Sequence, residues 1–187
     1  MANQHPRGKE AFEIDRSQYD TDQAAFYDRI SGGPRGRVPI NLRAWIHNMP
    51  FARVVEPFGL YVSEMAPISK REKEITILVN ARSQEAPFEW EMHRRYALKA
   101  GLTPTQVEAI RLGQDPGFTD QGEALTWRLA HHLHVDKGVP DEVYQTILSE
   151  FGHKWVSDRI GLIGLYTMVA FTLNFYDVAA PPDEPKA

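Results

Sequence analysis

Residues that start and stop helices recur at helix-length intervals along almost all of this chain, and no stretch alternates apolar and polar side chains as a half-buried strand would. There is no Asn-Gly or Asp-Gly pair to turn a hairpin. Ser69 followed by Glu72 is a capping box, which opens a helix over 70–82. Pro87 suits the first turn of a helix over 88–100, with Gly101 as its stop, and Thr103-Pro104 opens 105–112, closed by Gly113. The same signals predict helices over 20–30, 41–47, 51–64, 120–134, 141–151 and 155–176, with Pro57 kinking or dividing the third of these. About eight helices joined by short connections predict an all-α bundle built from helical hairpins.

At 187 residues the chain suits one domain, expected to span 1–187 with flexible tails at 1–18 and 180–187. Hydrophobic residues make up 42% of it, enough for a core. Its 21 basic and 25 acidic side chains leave a net charge of −4, so no nucleic-acid partner is expected. The count of cysteines is zero, which excludes disulfides, thiolate nucleophiles and thiol redox chemistry. The polar first residues contain no apolar signal segment. Residues 160–176 are free of charge but include Asn174, two threonines and two glycines, so a core or interface helix is expected there rather than a membrane span. A soluble, cytoplasmic protein is the expectation.

Chemistry is concentrated between residues 71 and 93. Glu89 and His93 are four apart and share a helix face, which Tyr96, Ala97 and Ala100 continue as a partly apolar stripe. Apolar surroundings raise a carboxyl pKa and bring imidazole toward neutrality, as acid–base catalysis requires. The same spacing also describes an ordinary solvated pair. Glu74 lies on the preceding helix and would approach His93 if the two helices form a hairpin. His131 and His134 are spaced to share a metal, but there is no HExxH pattern and no nearby acidic ligand before Asp136, and histidines at a helix C-terminus also suit the helix dipole, so no metal is expected. The stretch from Ser31 to Pro39 lacks a P-loop pattern and reads as a loop over a pocket or a subunit neighbour.

The run Arg71-Glu72-Lys73-Glu74, then Glu89-Trp90-Glu91-Met92-His93 and Ala100-Gly101-Leu102-Thr103, resembles the carboxymuconolactone decarboxylase family of the alkylhydroperoxidase D-like superfamily. Gly33-Pro34-Arg35-Gly36, Leu42 to Pro50, and Gly164 to Met168 with Leu173-Asn174 are similar to its longer members, so the likeness runs over roughly residues 20–180. In the peroxidase branch a Glu is followed after eleven residues by Cys-x-x-Cys-x-x-x-His. Laid on this chain, the Glu falls on Glu74, the His on His93, and the two cysteine positions on Ala86 and Glu89. Thiol-based peroxide reduction is thereby excluded, while acid–base chemistry is not.

The resemblance implies an alkylhydroperoxidase D-like helical bundle, a homo-oligomer (trimer or hexamer, with a dimer open), and a cofactor-free lyase or isomerase. Its substrate would be a small carboxylated lactone or ring-cleavage product. Lactone hydrolysis or tautomerisation on the same pair, and a non-enzymatic binding role, stand as alternatives. Loss of CO₂ from such a lactone needs a cation for the carboxylate, an apolar environment, and an acid to reprotonate the dienolate. His93 is expected as the leading acid–base residue, Glu89 as its partner, and Glu74 as the group that orients and tunes the imidazole. Arg43, Arg71, Arg82 or Arg35 would hold the carboxylate, and Trp90 and Tyr27 would line the pocket or pack as plain core.

Overall fold

The computed structural model describes residue 12, residues 16–33 and residues 36–181. Among them are nine α-helices and no strand. The helices are α1 (Thr21–Ser31), α2 (Ile40–Trp45), α3 (Met49–Leu60), α4 (Lys70–Ser83), α5 (Pro87–Lys99), α6 (Pro104–Leu112), α7 (Gln121–Val135), α8 (Asp141–Glu150) and α9 (Gly152–Phe175).

The boundaries follow local chemistry. At α4, the Glu72 amide donates to Ser69 Oγ (3.1 Å) and the Ser69 amide donates to Glu72 Oε2 (2.9 Å), closing the expected box. Asp20 with Gln23 and Thr103 with Gln106 close two more. Gly113 ends α6 in the left-handed conformation at φ 71°, where a side chain would also meet the Arg82 guanidinium. Pro57 does not divide its helix: α3 runs through it and then widens into a single π turn, Tyr61–Met65. Proline removes one backbone donor, and the wider turn that follows gives the ladder room to continue.

Helix α4 is the axis of the bundle. Its Glu72, Glu74 and every residue from Ile75 to Ala81 are buried, so it has no single apolar face; α5, α7, α9 and α6 pack around it. Ile75, Ile77 and Leu78 are fully enclosed, each contributing about 1.5–3 kcal/mol by leaving water. One cluster joins α1, α2, α3 and α9 around Trp45, Ile46 and Leu162; a second joins α4, α5 and α6; a third joins α7 and α8.

Helix α9, at 24 residues, is long and apolar enough to cross a membrane by length and composition. Here it packs mainly on α4 as a bundle helix, and its buried face carries charge. Arg159 is 2% exposed; it pairs with Glu72, donates to Thr126 Oγ1 (3.0 Å) and lies 3.7 Å over the Trp155 ring. Near the ends of the chain, Arg16–Gln18 forms a 3-10 turn, Phe12 packs edge-on against Tyr176, and Arg95 donates to the Pro181 carbonyl (3.3 Å). The remainder of the expected tails lies outside the described residues.

Candidate active site

The connection between α4 and α5 is only three residues, with Glu85 in the left-handed region (φ 49°). So short a link makes the two helices an antiparallel hairpin, which sets Glu74 across from His93 and Asn80 across from Glu89. His93 Nδ1 lies 2.8 Å from Glu74 Oε2, and both side chains are largely buried. The imidazole is held edge-on between two rings, Tyr96 at 5.5 Å and Tyr166 at 5.2 Å. Glu74 accepting from Nδ1–H selects the tautomer whose Nε2 carries a lone pair.

Glu89 is 2% exposed. Asn80 Nδ2 donates to its Oε1 (2.9 Å), whereas its Oε2 is buried with no partner on the protein. Burial pushes this carboxyl up to about 8, against the opposing pull of the Asn80 hydrogen bond. At neutral pH Glu89 is therefore a carboxylic acid with an O–H to donate.

Glu89 and His93 both face a cavity of about 350 Å³, the size of a small-molecule site. Its opposite walls are apolar: Trp45 from α2, Val55 from α3, and Leu165, Val169 and Leu173 from α9. Besides the Glu89–His93 pair, the charged groups on its wall are Arg37, Glu64 and Glu56, the last paired with Arg29 at 3.1 Å. Glu74 stands behind His93 and is not part of the lining. A carboxylic acid and an imidazole oriented by a carboxylate, facing a largely apolar wall, can exchange protons with a bound ligand.

The residues expected to bind substrate lie elsewhere. Arg71 pairs with Glu123 (2.9 Å) and donates to the Gly101 carbonyl. Arg82 donates to the Arg111 carbonyl (2.9 Å) beneath Gly113. Arg43 lies beside Tyr19 with its Nε buried and unpartnered, Tyr27 packs against Tyr19 in the first core cluster, and Trp90 packs against the second. None of these five lines the cavity. Arg35 lies outside the described residues. The arginine in the wall is Arg37, two residues further along the same glycine-rich loop, which also contributes Pro39. Asn80 and the π-turn residues Ser63 and Glu64 are further neighbours that spacing did not disclose; the one hint was a polar amide in a run of apolar residues, Ile75 to Ala81. The three histidines of α7 diverge: His131 stacks on Trp127, His132 pairs with Asp136 (2.6 Å), and His134 faces Gln84 (3.4 Å). Among the described residues no three side chains of His, Cys, Asp or Glu gather as metal ligands.

Fold and site thus define an all-helical bundle in which a buried carboxyl and an imidazole line one largely apolar cavity. Residues 50–130, which contain Glu74, Glu89 and His93, match the model of the carboxymuconolactone decarboxylase family. The whole fold is shared with a solved structure, an uncharacterized peroxidase-related protein from Silicibacter sp. TM1040. That similarity has a TM-score of 0.71 at 14% identity and covers 95% of this chain and 93% of that one. No curated protein sequence matches the chain. Over residues 50–130 the chain is thus similar to the carboxymuconolactone decarboxylase family, without a cysteine anywhere in its sequence, and its fold is that of the peroxidase-related structure.

Proposed function

We propose that this protein is a cofactor-free acid–base enzyme, a carboxy-lyase acting on a small unsaturated carboxylated lactone or a related ring-cleavage product. The observation that carries this reading is the placement of Glu89, raised to about 8 by burial and with Oε2 unpartnered, beside His93 on one wall of a cavity whose facing wall is largely apolar. A buried O–H left without an acceptor costs about 1–3 kcal/mol. A ligand carbonyl or dienolate recovers that cost, and the dienolate most of all because negative charge has built up on it.

In the proposed reaction Arg37, at the cavity wall, holds the substrate carboxylate. The apolar walls strip water from it, which favours loss of neutral CO₂. The bond between the ring carbon and the carboxylate breaks, and its electron pair moves through the conjugated double bond into the lactone carbonyl. Glu89 Oε2–H then gives its proton to the dienolate carbon, and His93 passes a replacement proton from solvent. An isomerase would use the same two residues with no CO₂ released.

Self-association belongs to the same proposal. Val54 (72% exposed) and Met65 (67%) on the α3 side and Phe171 (58%) and Phe175 (74%) on α9 leave apolar surface uncovered, as subunit interfaces do.

The deciding experiment follows γ-carboxymuconolactone by ring absorbance and CO₂ release, for wild type beside His93→Ala. CO₂ release that is lost in the variant is expected. Ring absorbance that changes without CO₂ would move the reaction to isomerisation or hydrolysis, and no turnover in either protein would favour a binding role.

A further inference from the structure

Behind Glu89 runs a chain of two polar groups, the fully buried Asn80 and the half-buried Thr167, that the proposed reaction does not itself use. Thr167 Oγ1, on α9, stands 2.8 Å from Asn80 Oδ1 and 2.9 Å from its own helix's Ile163 carbonyl. Asn80, on α4 and fully buried, reaches the other way with Nδ2 to Glu89 Oε1. Three helices therefore meet at one amide. The single Thr167 hydroxyl proton is shared between these two oxygens, and its bond to Oδ1 holds the amide with Nδ2 facing Glu89. In that arrangement every donor in the chain points toward the carboxyl.

We propose that Asn80 and Thr167 are positioning residues that fix the Glu89 carboxyl in one orientation, so that its proton sits on Oε2 and enters the cavity from that atom alone. This rests on the role of Glu89 as the acid in the proposed reaction. With Oε1 already accepting from the amide, a proton on Oε1 would set two hydrogens against each other, while Oε2 has no competing partner on the protein. Were the amide reversed, Oδ1 would face Oε1 and draw the Glu89 proton away from the cavity. The other titratable or charged groups around the acid are Glu74 on α4, His93 and Tyr96 on α5, Tyr166 on α9, Glu56 on α3, Glu64 in the π turn and Arg37 in the loop. The level at which Glu89 titrates is set by burial and by the Asn80 hydrogen bond.

The test is a titration of Glu89 by ¹³C-carboxyl NMR of glutamate-labelled protein, its signal identified by its absence in Glu89→Gln. Wild type is compared with Thr167→Val, Thr167→Ser and Asn80→Leu, with circular dichroism as the check on folding and the pH profile of lactone turnover measured in parallel. In Thr167→Val, Oδ1 loses its donor and turns to Glu89. The midpoint should rise by about one pH unit, with the corresponding limb of the turnover profile moving with it. Thr167→Ser, which keeps the hydroxyl, should restore both. Asn80→Leu replaces a fully buried amide and risks not folding, so Thr167→Val, close to isosteric, decides alone. A Glu89 midpoint unchanged in a folded Thr167→Val overturns the positioning role, whatever the activity. A midpoint that shifts and is restored by serine, in a protein that turns over no lactone, upholds the positioning role and overturns the reaction instead.

Discussion

Glu74 Oε2 stands 2.8 Å from His93 Nδ1 across the α4–α5 hairpin, and this contact decides which imidazole nitrogen is left to work. With Nδ1–H given to the carboxylate, Nε2 is the nitrogen that can take or return a proton. Tyr96 and Tyr166, edge-on to the ring, keep it from turning.

Glu74→Gln should leave the fold intact and lower turnover by roughly ten- to a hundredfold, less than the ~10²–10⁴ that a positioned acid–base group supplies. The amide can present its NH₂ to Nδ1 and so favour the other tautomer. Imidazole ¹⁵N shifts measured beside kcat check this: a drop in kcat with no change in tautomer would mean that Glu74 acts in some other way.

Glu89 makes stability depend on pH in a fixed direction. Its carboxyl is pushed up to about 8 by burial, whereas an unfolded glutamate ionises near 4.3. Between these values the folded chain keeps a proton that the unfolded chain has released. The stabilising contribution is whole below about pH 4.3, falls as pH rises, and is gone above about pH 8; across that span it amounts to something on the order of 5 kcal/mol. Glu89→Gln cannot ionise, so its stability advantage over wild type should widen from about pH 5 to pH 8 while its turnover is lost. Urea denaturation midpoints across that range test the prediction, and parallel curves for the two proteins would refute it.

The ion pair of Arg159 with Glu72 lies on the other side of α4 from the cavity and holds α9 to α4 and α7. Arg159→Met should cost about 3–5 kcal/mol in denaturant unfolding, because Glu72 is left charged and buried. Adding Glu72→Gln should recover part of that loss. Failure of the second change to recover any would show that packing against Trp155, rather than charge, is what Arg159 provides.

Phe171→Glu with Phe175→Glu places two charges on the exposed apolar face of α9. Light scattering should show wild type as an oligomer and the variant reduced to a monomer, with unchanged helicity by circular dichroism. A wild type that is already monomeric at micromolar concentration would contradict self-association.

Much of the fold could be read from single residues, because helix ends are local chemistry. Ser69, Glu72, Gly101 and Gly113 each act within one turn, and the α4–α5 hairpin that Ser69 opens and Gly101 closes sets Glu74 across from His93. The opposite cavity wall could not be read that way. Trp45 and Leu165, 120 positions apart, both line it, and no local pattern records such a contact. Helix α4 withheld its facing as well: a helix buried on all sides has no polar face to orient it, so Asn80 gave no sign that it points at Glu89. Sequence could not tell the arginines apart for a related reason, since a guanidinium looks the same whether it pairs with Glu123, donates to a carbonyl or lines a cavity.

Helices α4 and α5 contribute Glu74, Glu89 and His93, while most of the apolar wall comes from α2, α3 and α9, with Phe88 and Met92 of α5 completing it. In the proposed reaction, reactivity and most of the substrate-shaping wall thus reside in separate parts of the chain. Exchanging Val55, Leu165 or Val169 for larger or smaller side chains recuts the chamber without moving a proton donor. Under the proposed function, a scaffold divided in this way can be turned from one ring compound to another by substitutions that leave its acid–base groups alone.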